Sequence, residues 1–227
     1  MQLTVTTFVS VDGVYQGPGG PDEDRSDGFD RGGWLVPHFD KATGQFIDEV
    51  FDQVDAFLLG RRTYDIFAAF WPKATDPDDT VANCLNTLPK YVASTTLNDP
   101  QWANTTVLDG DLATAVRELK NREGRELQVH GSGALVRFLL DNDLVDRLNL
   151  LVFPVIVGTG RRLFPDQGIA TGLTLDESRT TLERYAPVFD RAVVLNAKAL
   201  IILMVVPFAL FLPGYASAGA PGHKYWG

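Results

Sequence analysis

Apolar runs of strand length alternate with segments of helical spacing along most of this chain, and that alternation limits the fold more than any other feature. "LTVTTFVSV" (3–11) reads as a half-buried strand that ends at the Asp12-Gly13 turn. From 39 to 54 the spacing is helical, with Phe46, Ile47, Val50, Phe51 and Val54 on one face. "AFLLG" is a short apolar strand, and "RRTYDIFAAFWP" opens a helix that Pro72 stops. "KYVAST" and "TTVLD" are strands, and "DLATAVRELKNREG" is a helix with Asp111 as N-cap and Gly124 past its end. "ELQVHG", "SGALVRFLLDND" and "RLNLLVFPVIVG" then read strand, helix, strand. Such alternation predicts one α/β domain whose sheet is covered by helices on both faces.

The composition narrows the partners. A net charge of −9 has the wrong sign for general binding to nucleic acid or an anionic membrane. An anionic ligand then needs locally gathered basic groups, which draws attention to "GRRTY" and "GTGRRLF". Cys84 is the sole cysteine, so no internal disulfide forms, and a reduced, cytoplasmic setting is expected. His38, His130 and His223 lack metal-like spacing, and no metal site is expected. No basic and apolar leader precedes the first strand, so secretion is not expected. The segment 16–33, rich in Gly, Pro and Asp, reads as a long surface loop, a type that is often functional.

Four constellations carry candidate chemistry. In "VHGSGAL", a strand enters a glycine turn and then a helix, which presents free N–H groups to an anion. On the pattern alone, a phosphate cradle and a plain turn stand level. A nucleophilic serine does worse, because the elbow wants glycine where His130 stands. In "LLGRRTYDIF", Arg61, Arg62 and Thr63 follow Gly60 at a helix start, which suits a phosphate; a solvated helix start is the alternative. Ser94 and Thr95 end a strand, where hydroxyls serve a phosphate, a sugar or a turn cap. Asp12, in "FVSVDGVYQGP", is first of all a turn residue, and as a functional group it would orient a ligand at the sheet's mouth. All four follow strands, so they are expected to converge on one sheet edge, as a dinucleotide needs.

Taken in order, "TTFVSVDGV", "FLLGRRTYDIFAAFWP", "KYVASTTL", "VHGSGALVRFLL", "DLVDRLNLLVFPVIVGTGRRLF" and "LDESRTT" resemble the dihydrofolate reductase-like superfamily. Within it, they resemble the C-terminal reductase domain of the bifunctional riboflavin-biosynthesis deaminase-reductase and its stand-alone relatives. The resemblance covers 1–181. It implies a single three-layer domain with a mixed, mostly parallel sheet flanked by helices, NADPH as hydride donor, a small-molecule substrate and a homodimer. By motif match, Arg61, Arg62 and Thr63, following Gly60, face the 2′-phosphate and diphosphate, while Ser94 and Thr95 line the adenosine end. Gly131, Ser132 and Gly133, with Ala134 behind them, match the glycine turn on the diphosphate, and Ser132 is read as a small turn residue whose backbone matters more than its hydroxyl. Val9, Ser10 and Asp12 match the segment bordering nicotinamide and substrate. "GTGRRLF" is read mainly as a structural turn. Relatives commonly carry a basic residue where Thr95 stands, so the preference for NADPH over NADH rests on Arg61 and Arg62. The chain lacks the cysteine pairs of a zinc-binding deaminase half, and is not expected to carry that half.

Reduction of a C=O or C=N group also takes a proton. The carboxyl candidates are Asp12 and, on the helix before "AFLLG", Asp48 and Glu49, for which a solvated face is the competing reading. Trp34 either closes over a flat substrate or belongs to the core. After Thr181 the pattern breaks, and 182–227 reads as an atypical C-terminal extension. "RAVVLNAK" offers a strand. The apolar stretch 199–212 is short for a membrane span and is interrupted by Pro207. A strand pair, an oligomer contact, a membrane-surface anchor and a terminus without selected function all remain readings of it.

Overall fold

A computed structural model describes residues 1–164, 170–179, 193–196 and 199–204. The boundary expected near residue 181 lies outside the described residues. The chain runs β1 (Gln2–Ser10), α1 (Lys41–Phe51), β2 (Val54–Gly60), α2 (Arg61–Phe70), α3 (Thr80–Thr87), β3 (Lys90–Ala93), β4 (Thr105–Leu108), α4 (Leu112–Lys120), β5 (Glu126–His130), α5 (Gly133–Asp141), β6 (Arg147–Phe153), β7 (Val193–Asn196) and β8 (Ala199–Met204). The strands form one sheet in the order β4-β3-β2-β5-β1-β6-β8-β7. Every neighbouring pair is parallel except β7 with β8. The sheet is thus mixed and mostly parallel. The strand in "RAVVLNAK" is β7, and the first part of the apolar stretch adds β8 beside β6. No helix among the described residues is long and apolar enough to cross a membrane.

Two buried clusters make the three layers. One packs α1 and α3 (Phe46, Val50, Phe51, Leu85) on Phe57, Leu59 and Val92 of the sheet. The other packs α4 and α5 (Ala113, Val116, Leu119, Leu135, Val136, Leu139) on Leu3, Val5, Leu127, Val129 and Leu148. Trp34 belongs to the first cluster, and its indole N–H donates to the Gln16 carbonyl at 2.8 Å. α1 is shorter than the helical spacing of 39–54, because Val54 already opens β2. α3 has no counterpart in the sequence reading: its eight residues bury only Ala82 and Leu85, too few to show a period.

The strand connections create the position of the site. α2 carries the chain outward from β2 to β3, whereas α5 carries it from β5 across β1 to β6. β2 and β5 are neighbours whose connections leave in opposite directions. In open α/β sheets such a switch point opens a crevice outside the strand carboxyl ends.

A polar row crosses the interior beside that crevice. Gln128 Nε2 donates to Glu126 Oε2 and to the Val50 carbonyl, both at 2.7 Å. Its amide oxygen therefore accepts from His130 Nε2 at 3.0 Å, which places a proton on that nitrogen. The ring packs 4.8 Å from Phe51 and 5.8 Å from Phe57, and burial pushes its pKa down to about 4. Between that value and the ordinary 6.5, the unfolded chain takes up a proton that the folded one refuses. Stability is therefore expected to fall as pH drops from about 6.5 towards 4, by up to roughly 3 kcal/mol from this group. Urea unfolding at pH 7 and pH 4.5 should show a loss that is smaller in His130→Leu.

Candidate active site

Each expected constellation stands at the carboxyl edge of its strand: Ser10 on β1, Gly60 on β2, Ser94 just after β3, and Gly131 just after β5. Because these strands are parallel neighbours, the four lie along one sheet edge. At the centre, the turns after β2 and β5 are joined by one side chain. Ser132 Oγ accepts from the Gly60 N–H at 3.0 Å and donates to Thr63 Oγ1 at 2.8 Å. The hydroxyl, expected to matter less than the backbone, is the link between α2 and α5. It does this from a left-handed backbone, φ 55° and ψ 44°, which is uncommon for serine.

That use of the hydroxyl leaves α5 without a side-chain cap. α1, α3 and α4 each have an aspartate N-cap: Asp40 accepts from Thr43 N, Asp79 from Ala82 N, and Asp111 from Thr114 N. α2 begins after Gly60, and α5 after Ser132, with no side-chain cap and no acidic residue in the first turn. The two helices at the crevice are thus the two α-helices among those described whose terminal N–H groups keep no anionic partner. Helix N-termini of this kind receive anions. Gly133, the first residue of α5, lies directly under the Tyr15 ring, which a Cβ at 133 would overlap.

Arg61 points along the edge towards the β3 turn. Its Nε pairs with both Asp65 oxygens at 2.9 Å, and Nη1 donates to Thr96 Oγ1 at 3.0 Å. Ser94 Oγ accepts from the N–H groups of Thr96 and Leu97 at 3.2 and 3.1 Å, so it caps its own turn. Thr95 and Ala134 are exposed at the edge, and Val9 is buried among the α4/α5 cluster. Arg62 turns the other way, to Ser26 in the 16–33 loop.

The carboxyl candidates are placed differently from one another. Asp12 Oδ1 accepts from Ser10 Oγ at 2.7 Å and Val157 N at 3.0 Å, and Oδ2 from Gly158 N at 2.8 Å. Burial opposes its charge, but the bonds from Ser10, Val157 and Gly158 outweigh that and hold its pKa below the ordinary range. Asp12 is therefore an ionised clamp between the β1 and β6 turns. Asp48 and Glu49 sit exposed in the last turn of α1, which descends to where β2 starts, at the opposite end from the carboxyl edge. Glu49 pairs there with Arg179. The structure does not bring these two to the crevice.

Comparison with known proteins gives the family and the fold. Residues 1–186 match the family described as the RibD C-terminal domain. The chain belongs to that family. Among curated relatives of this RibD C-terminal domain protein, the uncharacterized protein YyaP of Bacillus subtilis strain 168 is 26% identical over 181 residues, covering 79% of this chain and 88% of YyaP. The uncharacterized protein YwjB of the same organism is 25% identical over 127 residues, covering 56% and 68%. A candidate riboflavin biosynthesis protein from Shewanella sp. PV-4 has the same fold, with a TM-score of 0.58 at 20% identity over 86% of this chain and 97% of the other. A pyrimidine reductase-like protein from Corynebacterium diphtheriae superposes with a TM-score of 0.51 at 15% identity, over 86% and 90%.

Residues that the sequence reading left within quoted or numbered segments, without naming them for the site, also stand at the edge: Tyr15, Asp24, Ser26, Thr96 and Arg161. The side-chain hydrogen bonds they make to other elements span 35 to 137 positions, so no local pattern announces those contacts. The Ser132 link predicts a coupled pair. Ser132→Ala should cost about 1–2 kcal/mol, since it strands the Gly60 N–H and the Thr63 hydroxyl. Adding Thr63→Val should cost less than the sum of the two single changes, as read by chemical denaturation.

Proposed function

We propose that this protein is an NADPH-dependent reductase that delivers a hydride to a small, flat compound carrying a C=O or C=N group. The observation that carries the reading is the pair of uncapped helix N-termini facing the switch-point crevice, with two arginines at one of them. Membership of the RibD C-terminal domain family, whose members are typically NADPH-dependent, supports it.

The residues suit the parts of such a cofactor. The N–H groups opening α5 at Gly133 and Ala134, and those opening α2 at Arg62 and Thr63, would hold the diphosphate. Substituting Gly60 would bring a Cβ to 3.3 Å from Ser132 Oγ, so the close joining of the two turns favours glycine there. Arg61, held by Asp65 and aimed at the Ser94–Thr96 turn, would receive the 2′-phosphate. When bound, the nicotinamide supplies the hydride. Ser10 and the clamped Asp12 fix the end of β1, and with it the wall against which the two reactants would be pressed. As an ionised group with both oxygens occupied, Asp12 has no proton to give, so the proton would come from water or the substrate's own surroundings. Reduction of a ribosylamino-pyrimidine is a narrower version of the same proposal, suggested by the pyrimidine reductase-like relative.

Titration with NADPH and NADH tests the reading, followed by oxidation assays with carbonyl, pterin and pyrimidine substrates. Binding of NADPH is expected, and absence of binding by either nucleotide would refute it. Arg61→Ala should weaken NADPH tenfold or more, as expected for losing a charged partner of a phosphate, and change NADH little. Equal losses would remove Arg61 from the 2′-phosphate.

A further inference from the structure

Arg62 already stands beside an anion supplied by the protein itself. The 16–33 loop is a compact Ω-shaped excursion whose ends meet through Gly33 N to Gly17 O at 2.8 Å, and Phe29 is buried inside it. From this loop, Ser26 Oγ accepts from Arg62 Nη1 at 3.0 Å, and Asp24 Oδ2 lies 3.8 Å from the same guanidinium nitrogen. Asp24 is also bound by Arg161, from the "GTGRRLF" turn, which reaches Ser26 Oγ and Asp27 Oδ2 as well, both at 2.7 Å. Ser26 Oγ donates to Asp24 Oδ1 at 2.5 Å. With its side chain only 9% exposed, Asp24 is thus a nearly buried carboxylate set between two guanidiniums and a hydroxyl. A bound phosphate oxygen asks for the same partners.

We infer that Asp24 is a built-in competitor for the phosphate that Arg62 would hold, and so a specificity-determining residue of the nucleotide site. The inference rests on the nucleotide reading above. An intramolecular carboxylate acts at a high effective concentration, so a phosphate approaching Arg62 competes with it for the guanidinium and meets its like charge. While the carboxylate stays, discrimination between phosphorylated nucleotides falls to Arg61, whose own partner Asp65 lies on the helix behind it. Burial alone would raise the Asp24 pKa, but Ser26, Arg161 and Arg62 hold it below the ordinary range, so the competitor stays charged at neutral pH. The opposite arrangement, in which Asp24 merely orients Arg62 for the phosphate, predicts the opposite sign in the test.

Calorimetric titration with NADPH, and with adenosine as a probe lacking phosphate, tests this in the full chain. Asp24→Asn, which keeps the shape and the Ser26 contact, should bind NADPH at least fivefold more tightly and leave adenosine unchanged. The gain should vanish when Arg62→Ala is added. Asp27→Asn removes another carboxylate partner of Arg161, one that makes no contact with Arg62, and should leave NADPH affinity unchanged. Equal or weaker NADPH binding by Asp24→Asn overturns the inference, as does a gain that survives Arg62→Ala or is matched by Asp27→Asn. Thermal unfolding monitors the fold of each variant, and Asp24→Ser carries the same expectation should Asp24→Asn not fold. Wild-type protein that binds no NADPH undoes the reductase reading itself; wild-type binding without a gain in Asp24→Asn undoes only the role of Asp24.

Discussion

The hydroxyl of Ser132 stands between two turns that belong to strands diverging from each other. β2 sends its helix one way along the sheet and β5 sends its helix the other, and their backbone ladder ends at Phe57 and Gln128, short of α2 and α5. The Gly60 N–H and the Thr63 hydroxyl, both bound to Ser132 Oγ, close that gap. They set how far apart the two helix N-termini sit, which is the dimension a diphosphate would have to fit. They also take the one side chain that would otherwise cap α5. The same hydroxyl that joins the turns therefore leaves the helix end open for a ligand.

Electrostatics at this edge follows from how each charge is partnered. Asp40, Asp79 and Asp111 close the N-termini of α1, α3 and α4 and contribute to stability. Asp12 locks the β1 turn to the β6 turn. On a chain of net charge −9, the arginines that gather at the crevice do not stand free: Arg61 has Asp65, Arg62 and Arg161 share Asp24, and Arg162 reaches the Asp12 carbonyl at 2.9 Å. Each of these guanidiniums is thus partnered locally, and those partners would enter the energetics of any anion brought to this edge.

Much of the frame was legible from residue order. The strands β1 to β6 and the helices α2, α4 and α5 followed from apolar periodicity and from local signals such as the Asp111 cap. Periodicity failed where an element is short and buries little: α3 has eight residues and fully hides only Ala82 and Leu85. It also overran at α1, because Val54 continues the helical spacing while already lying in β2. The long loop announced itself by composition, but its compactness did not. Trp34, open in the sequence between a cover for a flat substrate and a core residue, joins Phe29 of the loop in one core.

The sequence by itself determined that parallel strands would end in polar turns, and which residues those turns would carry. Strand and helix periods are local, and so are the glycine turns and the arginines that follow them. Only the tertiary structure decided which of those residues face one another. Ser132 meets Thr63 across 69 positions, and Arg161 meets Ser26 across 135. It also decided that Asp48 and Glu49 lie at the far end of α1, since the direction of a helix relative to the sheet edge depends on the whole crossover. Hydrogen bonds and ion pairs of this length depend on strand order and crossover direction, and those are settled by the burial of two apolar faces, not by the residues at the site.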